Sequence, residues 1–156
     1  MLWPQAIQTH VVSFIAHGVF EKYPRLRIVL IEGGSAWIPS LLWRFDTEFK
    51  GLRREVPWLK LLPSEYFARH VWVTTQPLEV APKKENVIEL LGSMHLEDRL
   101  VYSSDYPHWD ADQIEYLTTR LPGDWHRRVF FANACRLYDW KEEDIEKPRA
   151  VAEKAR

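Results

Sequence analysis

A single cysteine, Cys135, stands in the whole chain, so no disulfide can form within it. That suits a reducing compartment and predicts a cytoplasmic protein. Cys135 lies in a helical pattern and reads as a small packed residue rather than a nucleophile. An excess of one charge is also missing. The 21 Lys and Arg against 22 Asp and Glu leave no broad basic face for nucleic acid. No apolar run approaches the ~20 residues needed to cross a bilayer. No charged start followed by a long apolar run marks a signal peptide. Nucleic acid and membrane are therefore not the expected partners, and a small molecule is.

What is present is a globular composition. The 156 residues suffice for one domain with a real core, and 46% of them are hydrophobic, which excludes a disordered chain. Eight tryptophans supply candidate core or interface anchors.

Residues 5–22 carry Ile7, Val11, Phe14, Ile15, Gly18 and Val19 at helical spacing. Tyr23-Pro24 stops that helix. His10 and His17 fall seven apart on it, not at the four-residue spacing of a helical metal pair. Ile28-Val29-Leu30-Ile31 reads as a strand buried on both faces. Glu32-Gly33-Gly34 follows, with Ser35 placed to cap the next helix. That helix, about 36–53, buries Ile38, Leu41, Leu42, Phe45, Phe49 and Leu52. After a connection with a short helical turn near Ser64, Val71–Thr75 reads as a second strand. A helix over 82–91 ends at Gly92. Leu100-Val101-Tyr102 forms a third strand, and Asp110 is placed as the N-cap of a helix over 111–120. A last helix spans 124–138 with Asp124 as its cap. Residues 141–156 are highly charged and read as a disordered tail.

Strand starts near Arg27, Val71 and Leu100 are 44 and 29 residues apart. A (β/α)₈ barrel averages about 31 residues per unit, so this rhythm suits a barrel segment. In such folds chemistry sits at the carboxyl ends of the strands. Asp105 and Glu32 both occupy that position. Asp105 is open to two readings, a metal- or proton-handling carboxylate or a turn former bonded to local backbone. Glu32 is likewise either part of a site or half of a salt bridge. His70 and His95 lie at the amino ends, away from the expected chemistry.

Four stretches in order carry a resemblance: HGVFEKYPRLRIVLIEGGSAWIPSLLWRFD (His17–Asp46), LPSEYFARHVWVT (Leu62–Thr74), YSSDYPHWD (Tyr102–Asp110) and RRVFFANACRLYDW (Arg127–Trp140). They resemble the carboxyl-terminal part of the amidohydrolase-related (amidohydrolase 2) family, whose relatives include aminocarboxymuconate-semialdehyde decarboxylase. The resemblance implies an α/β partial TIM (β/α)₈ barrel, strands six to eight with their helices, over residues 1–140. It implies a divalent metal ion, zinc or manganese, and hydrolase or non-oxidative decarboxylase chemistry. Asp105 matches the family's metal-ligating aspartate on the eighth strand and would also handle a proton. Glu32 stands where many members carry a sixth-strand histidine, and a carboxylate there can still ligate a hard ion. The family's His-x-His pair is absent from this sequence, as are the first five strands.

His108, three residues past Asp105, is a candidate substrate or ligand contact. Trp37 and Trp109 follow the two strand ends and are candidate walls of a substrate pocket. The main reading is therefore the carboxyl-terminal segment of a metal-dependent hydrolase acting on a small organic substrate. A metal-dependent decarboxylase of an unsaturated or aromatic carboxylic acid is the alternative. A truncated, non-catalytic fragment that only dimerises is a third. Three strands leave two unpaired edges and an uncovered inner face. The chain is accordingly expected to form a homo-oligomer or pair with a missing amino-terminal half, and to have little activity alone.

Overall fold

The computed structural model describes residues 2–146; the last ten residues of the expected tail lie outside this range. Three short parallel strands form one sheet in the order β1 (Ile28–Leu30), β2 (Val71–Thr74), β3 (Leu100–Val101). Ile28 pairs with Val71 and Leu30 with Val73, while Val73 pairs with Leu100 and Thr74 with Val101. Helices α1 (Trp3–Ala16), α2 (Val19–Lys22), α3 (Trp37–Leu52), α4 (Pro63–His70) and α5 (Lys84–Gly92) precede β3. After β3 come α6 (Ile114–Arg120), α7 (Gly123–Arg127), α8 (Asn133–Tyr138) and α9 (Glu142–Glu146). This helix–strand alternation with a parallel sheet is the expected α/β architecture.

Side chains alternate across the sheet. Leu30, Val71, Val73 and Leu100 enter the core, where they meet Ile7, Val11 and Ile15 of α1, Ile38, Leu42 and Phe49 of α3, Tyr66 and Phe67 of α4, and Leu91 of α5. Trp72 points to the other face. It is buried there beneath the guanidinium groups of Arg99 and Arg136, which lie 4.8 and 5.7 Å from its ring centroid. No helix of the described residues is long and apolar enough to cross a membrane.

Several local expectations are corrected. The helix over 5–22 is broken at Gly18, which takes a left-handed φ of 68°. Trp58 docks there, donating its indole N–H to Ala16 O at 2.8 Å, and a Cβ on Gly18 would lie 2.5 Å from its ring. β1 is an edge strand rather than one buried on both faces, so Ile31 is 57% exposed. Leu52, expected in the α3 stripe, is exposed. Asp110 is not a helix cap. Its segment folds back instead, with Asp112 N donating to Ser104 O at 2.8 Å, and α6 begins only at Ile114. Asp124 is not the cap of the last helix either, because that position falls to Pro122. The helix from 123 to 138 is interrupted by a π turn over Arg128–Ala132. The start of the expected disordered tail forms α9.

The π turn and Asn133 serve the outer edge of β3. Tyr102 N donates to Val129 O at 3.1 Å, and the buried Asn133 amide donates to Leu100 O at 2.6 Å and Glu97 O at 2.9 Å. The backbone groups on that edge are thus occupied by the chain's own last helix. Removing the amide leaves two carbonyls unsatisfied. Asn133→Ala should therefore cost about 1–3 kcal/mol and lower the melting temperature by roughly 3–10 °C. An unchanged melting temperature would show that Asn133 does not hold this edge.

Candidate active site

The exit of β2 organises the carboxyl end of the sheet. Thr74 Oγ1 accepts the Glu32 amide at 3.3 Å and lies within 3.3 Å of Leu30 O and Gln76 O. Thr75 Oγ1 accepts Ser103 N at 3.1 Å and donates to Ser103 O at 3.4 Å. One threonine thus fastens the loop after β1 and the next fastens the loop after β3. Gln76 is buried and donates to Asp110 O at 3.3 Å, which ties in the outer part of the β3 loop. Its Oε1 has no partner among the described residues.

Glu79 completes the frame. Its carboxylate accepts Ser35 N at 2.7 Å, Ala36 N at 2.9 Å and Ser35 Oγ at 3.0 Å. Ser35 therefore does not cap α3 with its own side chain as expected; Glu79 satisfies the helix start. The clamp also explains Gly34, which has φ of 65° and where a Cβ would lie 2.4 Å from Glu79 Oε1. Trp37, a candidate pocket wall, is half-buried and donates its indole N–H to Gly33 O at 2.8 Å. Its polar edge therefore belongs to this loop.

Glu32 and Asp105 share one conformation, each with φ of 57°. This left-handed turn is where the chain leaves the sheet, a conformation that short Asp tolerates better than most residues. Glu32 is exposed. The Asp105 side chain is 17% exposed, and its Oδ2 lies 2.8 Å from Nδ1 of His108. That contact holds the His108 imidazole above its ordinary pKa, first through the hydrogen bond to Asp105 and then through its charge. Glu32 and Asp110 add smaller contributions in the same direction. Two carboxylates remote in sequence thus act on one imidazole. Burial also pushes the Asp112 carboxyl up. Trp109 and Tyr106 project from the same loop, 96% and 83% exposed.

The arrangement can hold and pass a proton between His108 and Asp105, with hard oxygen donors on the loops after β1 and β3. It does not make a metal site by itself. Among the described residues no group of three or more His, Cys, Asp and Glu side chains has metal-holding geometry. Glu32 and Asp105 supply two donors, against the three protein ligands typical of a catalytic zinc. Thr74, Thr75, Gln76 and Glu79 were not anticipated. Their signal was the polar run immediately after the buried β2 strand, the counterpart of Glu32 and Asp105 on its neighbours.

In a parallel α/β sheet the carboxyl ends of the strands are where ligands bind, and acidic side chains stand here at the exits of β1 and β3. The chain is a member of the amidohydrolase family, whose pattern it matches over residues 1–140. Gamma-resorcylate decarboxylase of Rhizobium sp. is 26% identical over 145 residues, covering 86% of this chain. The crystal structure of 5-carboxyvanillate decarboxylase from Sphingomonas paucimobilis superposes with a TM-score of 0.66 at 28% identity, covering 85% of this chain and 39% of that one. A dihydroxybenzoic acid decarboxylase from Polaromonas sp., solved with manganese and 2-nitroresorcinol, shares the fold with a TM-score of 0.64 at 21% identity, covering 87% of this chain and 40% of that one. The chain spans 38% of the length of the Rhizobium relative.

Protonated His108 is stabilised by Asp105, so the pair's contribution is fully present below the ordinary histidine range. It is lost as pH rises through the elevated pKa. An NMR titration should place the His108 midpoint above that of a free histidine, and Asp105→Asn should bring it down. A midpoint unmoved by Asp105→Asn would remove the dyad from the account.

Proposed function

We propose that this chain is the carboxyl-terminal part of a metal-dependent, non-oxidative decarboxylase of small aromatic carboxylic acids. The observation that carries the reading is the Asp105–His108 pair at the β3 exit, with Glu32 at the equivalent exit of β1. Decarboxylation replaces a carbon–carboxylate bond with a carbon–hydrogen bond, so it needs a proton held near the reacting carbon. Asp105 and His108 are suited to hold it. Support for the choice of reaction comes from the relatives, which are decarboxylases of gamma-resorcylate and 5-carboxyvanillate. Hydrolysis is supported only by the family as a whole.

Manganese is the metal this reading favours, since a structural neighbour holds it and carboxylate oxygens suit it. Donors among the described residues do not complete a site for it, and in this reading the remaining ligands come from further polypeptide. Three observations support that requirement: the incomplete donor set, the share of the relatives' length that is matched, and the open edge of β1. Along that edge runs an apolar groove of about 340 Å³ between α1 and β1, lined by Trp3, Ile7, Val11, Phe14 and Ile31. β3 presents no such edge because Asn133 and Val129 occupy it. We assign the β1 groove as the place where a further strand is added, from a second copy or from a polypeptide bearing the other strands.

The test is CO₂ release from 2,6-dihydroxybenzoate and 5-carboxyvanillate with added Mn²⁺. The chain alone should give no turnover above the uncatalysed rate. In an assembly that includes the other strands, Asp105→Asn should lower kcat by roughly 10²–10⁴-fold. Full activity of the isolated chain would overturn the need for a partner. An assembled enzyme that cleaves amides or esters without releasing CO₂ would decide for the hydrolase.

A further inference from the structure

A cavity of about 780 Å³ opens at the opposite, amino end of the sheet. It lies between the Pro24–Arg27 segment that enters β1 and the Leu61–His70 segment that enters β2. Its size is that of a small-molecule pocket. The floor is aromatic and apolar. Phe20 stacks on His70 with ring centroids 4.4 Å apart, and Leu26 and Leu61 extend the surface.

The polar walls have a surplus of donors. Both acids that line the cavity are already engaged. Glu21 accepts the Tyr66 hydroxyl and receives Lys60 Nζ at 2.7 Å, and these two hydrogen bonds hold its pKa down. Asp139 accepts from Arg27 at 2.9 Å. Arg27 is turned to the last helix, since it also donates to Arg136 O at 3.0 Å and Leu137 O at 2.7 Å. His70 Nδ1 lies 2.8 Å from Leu26 O and donates there. Arg25 and Arg69 remain. Neither guanidinium makes a side-chain hydrogen bond or ion pair among the described residues, and Arg69 acts on Glu21 only through its charge. Two guanidinium forks free of hydrogen bonds among the described residues therefore flank an apolar floor, while the lining carboxylates Glu21 and Asp139 are bonded to Lys60, Tyr66 and Arg27.

We propose that this cavity binds a small organic carboxylate. Its anionic end would be taken by Arg25 and Arg69, whose forked donors match a carboxylate. Its apolar body would lie on Phe20, His70 and Leu26. The site is distinct from the Asp105 end of the sheet and does not depend on the proposed reaction.

The test uses benzoate and inorganic phosphate as probes, followed by NMR on the His70 and Tyr66 ring signals. Benzoate should produce saturable shifts at both rings, weakened by added salt. The double variant Arg25→Ala/Arg69→Ala should bind at least tenfold more weakly, and Arg69→Lys should retain part of the affinity. Both positions are exposed, so unchanged thermal unfolding serves as the folding control. Three results would overturn the proposal: no saturable shift, affinity unaffected by the double variant, or shifts confined to His108 at the other end. Phosphate binding as tightly as benzoate would overturn the role given to the apolar floor.

Discussion

Everything at the carboxyl end of the sheet depends on the central strand β2 and on the two threonines that close it. β2 pairs on both sides, and its four residues are all buried. Thr74 then turns its hydroxyl to the Glu32 loop and Thr75 turns its own to the Ser103 backbone. Successive side chains of a strand point to opposite sides, yet at this exit both neighbours are reached because the polar atoms meet backbone rather than side chains. Glu79 adds a third fastening, to the start of α3. The two acidic loops are therefore placed by β2 and its extension. Neither is placed by its own sequence alone.

The three-strand sheet is finished on one side and open on the other. Asn133 and the π turn give the β3 edge the hydrogen bonds that another strand would otherwise supply. At β1, Val29 is half-buried and Ile31 is exposed, and α1 stands off to leave a groove. Unpaired parallel edges with apolar flanks invite association.

Much of this was legible in the sequence. Val71–Thr74 and Leu100–Val101 form strands because short β-branched and apolar runs between turn residues have few alternatives. The exits of Ile28–Leu30 and Leu100–Val101 carry Glu32 and Asp105, and the three-residue spacing of Asp105 and His108 brings the two into contact. What was not legible came from tertiary choices. Gly18 broke a helix because Trp58, far along the chain, docks against it. Asp110 failed as a cap because the loop closes on Ser104 instead. Ser35 looked like a cap in isolation, yet its role passed to Glu79, which no local pattern would nominate. Trp109 projects into solvent and Trp37 is fixed to Gly33 O, placements that follow from the loops rather than from local pattern.

The central claim is that Glu32 and Asp105, on non-adjacent strands, act on a single space at the carboxyl end of the sheet. The most direct measurement is the His108 titration in Glu32→Gln, followed by NMR against the unaltered chain. Because Glu32 lies on another loop, removing its charge can act on His108 only through space. The account predicts that the His108 pKa falls, by less than on loss of Asp105. A His108 pKa identical in the two proteins would place Glu32 outside the site and contradict the account.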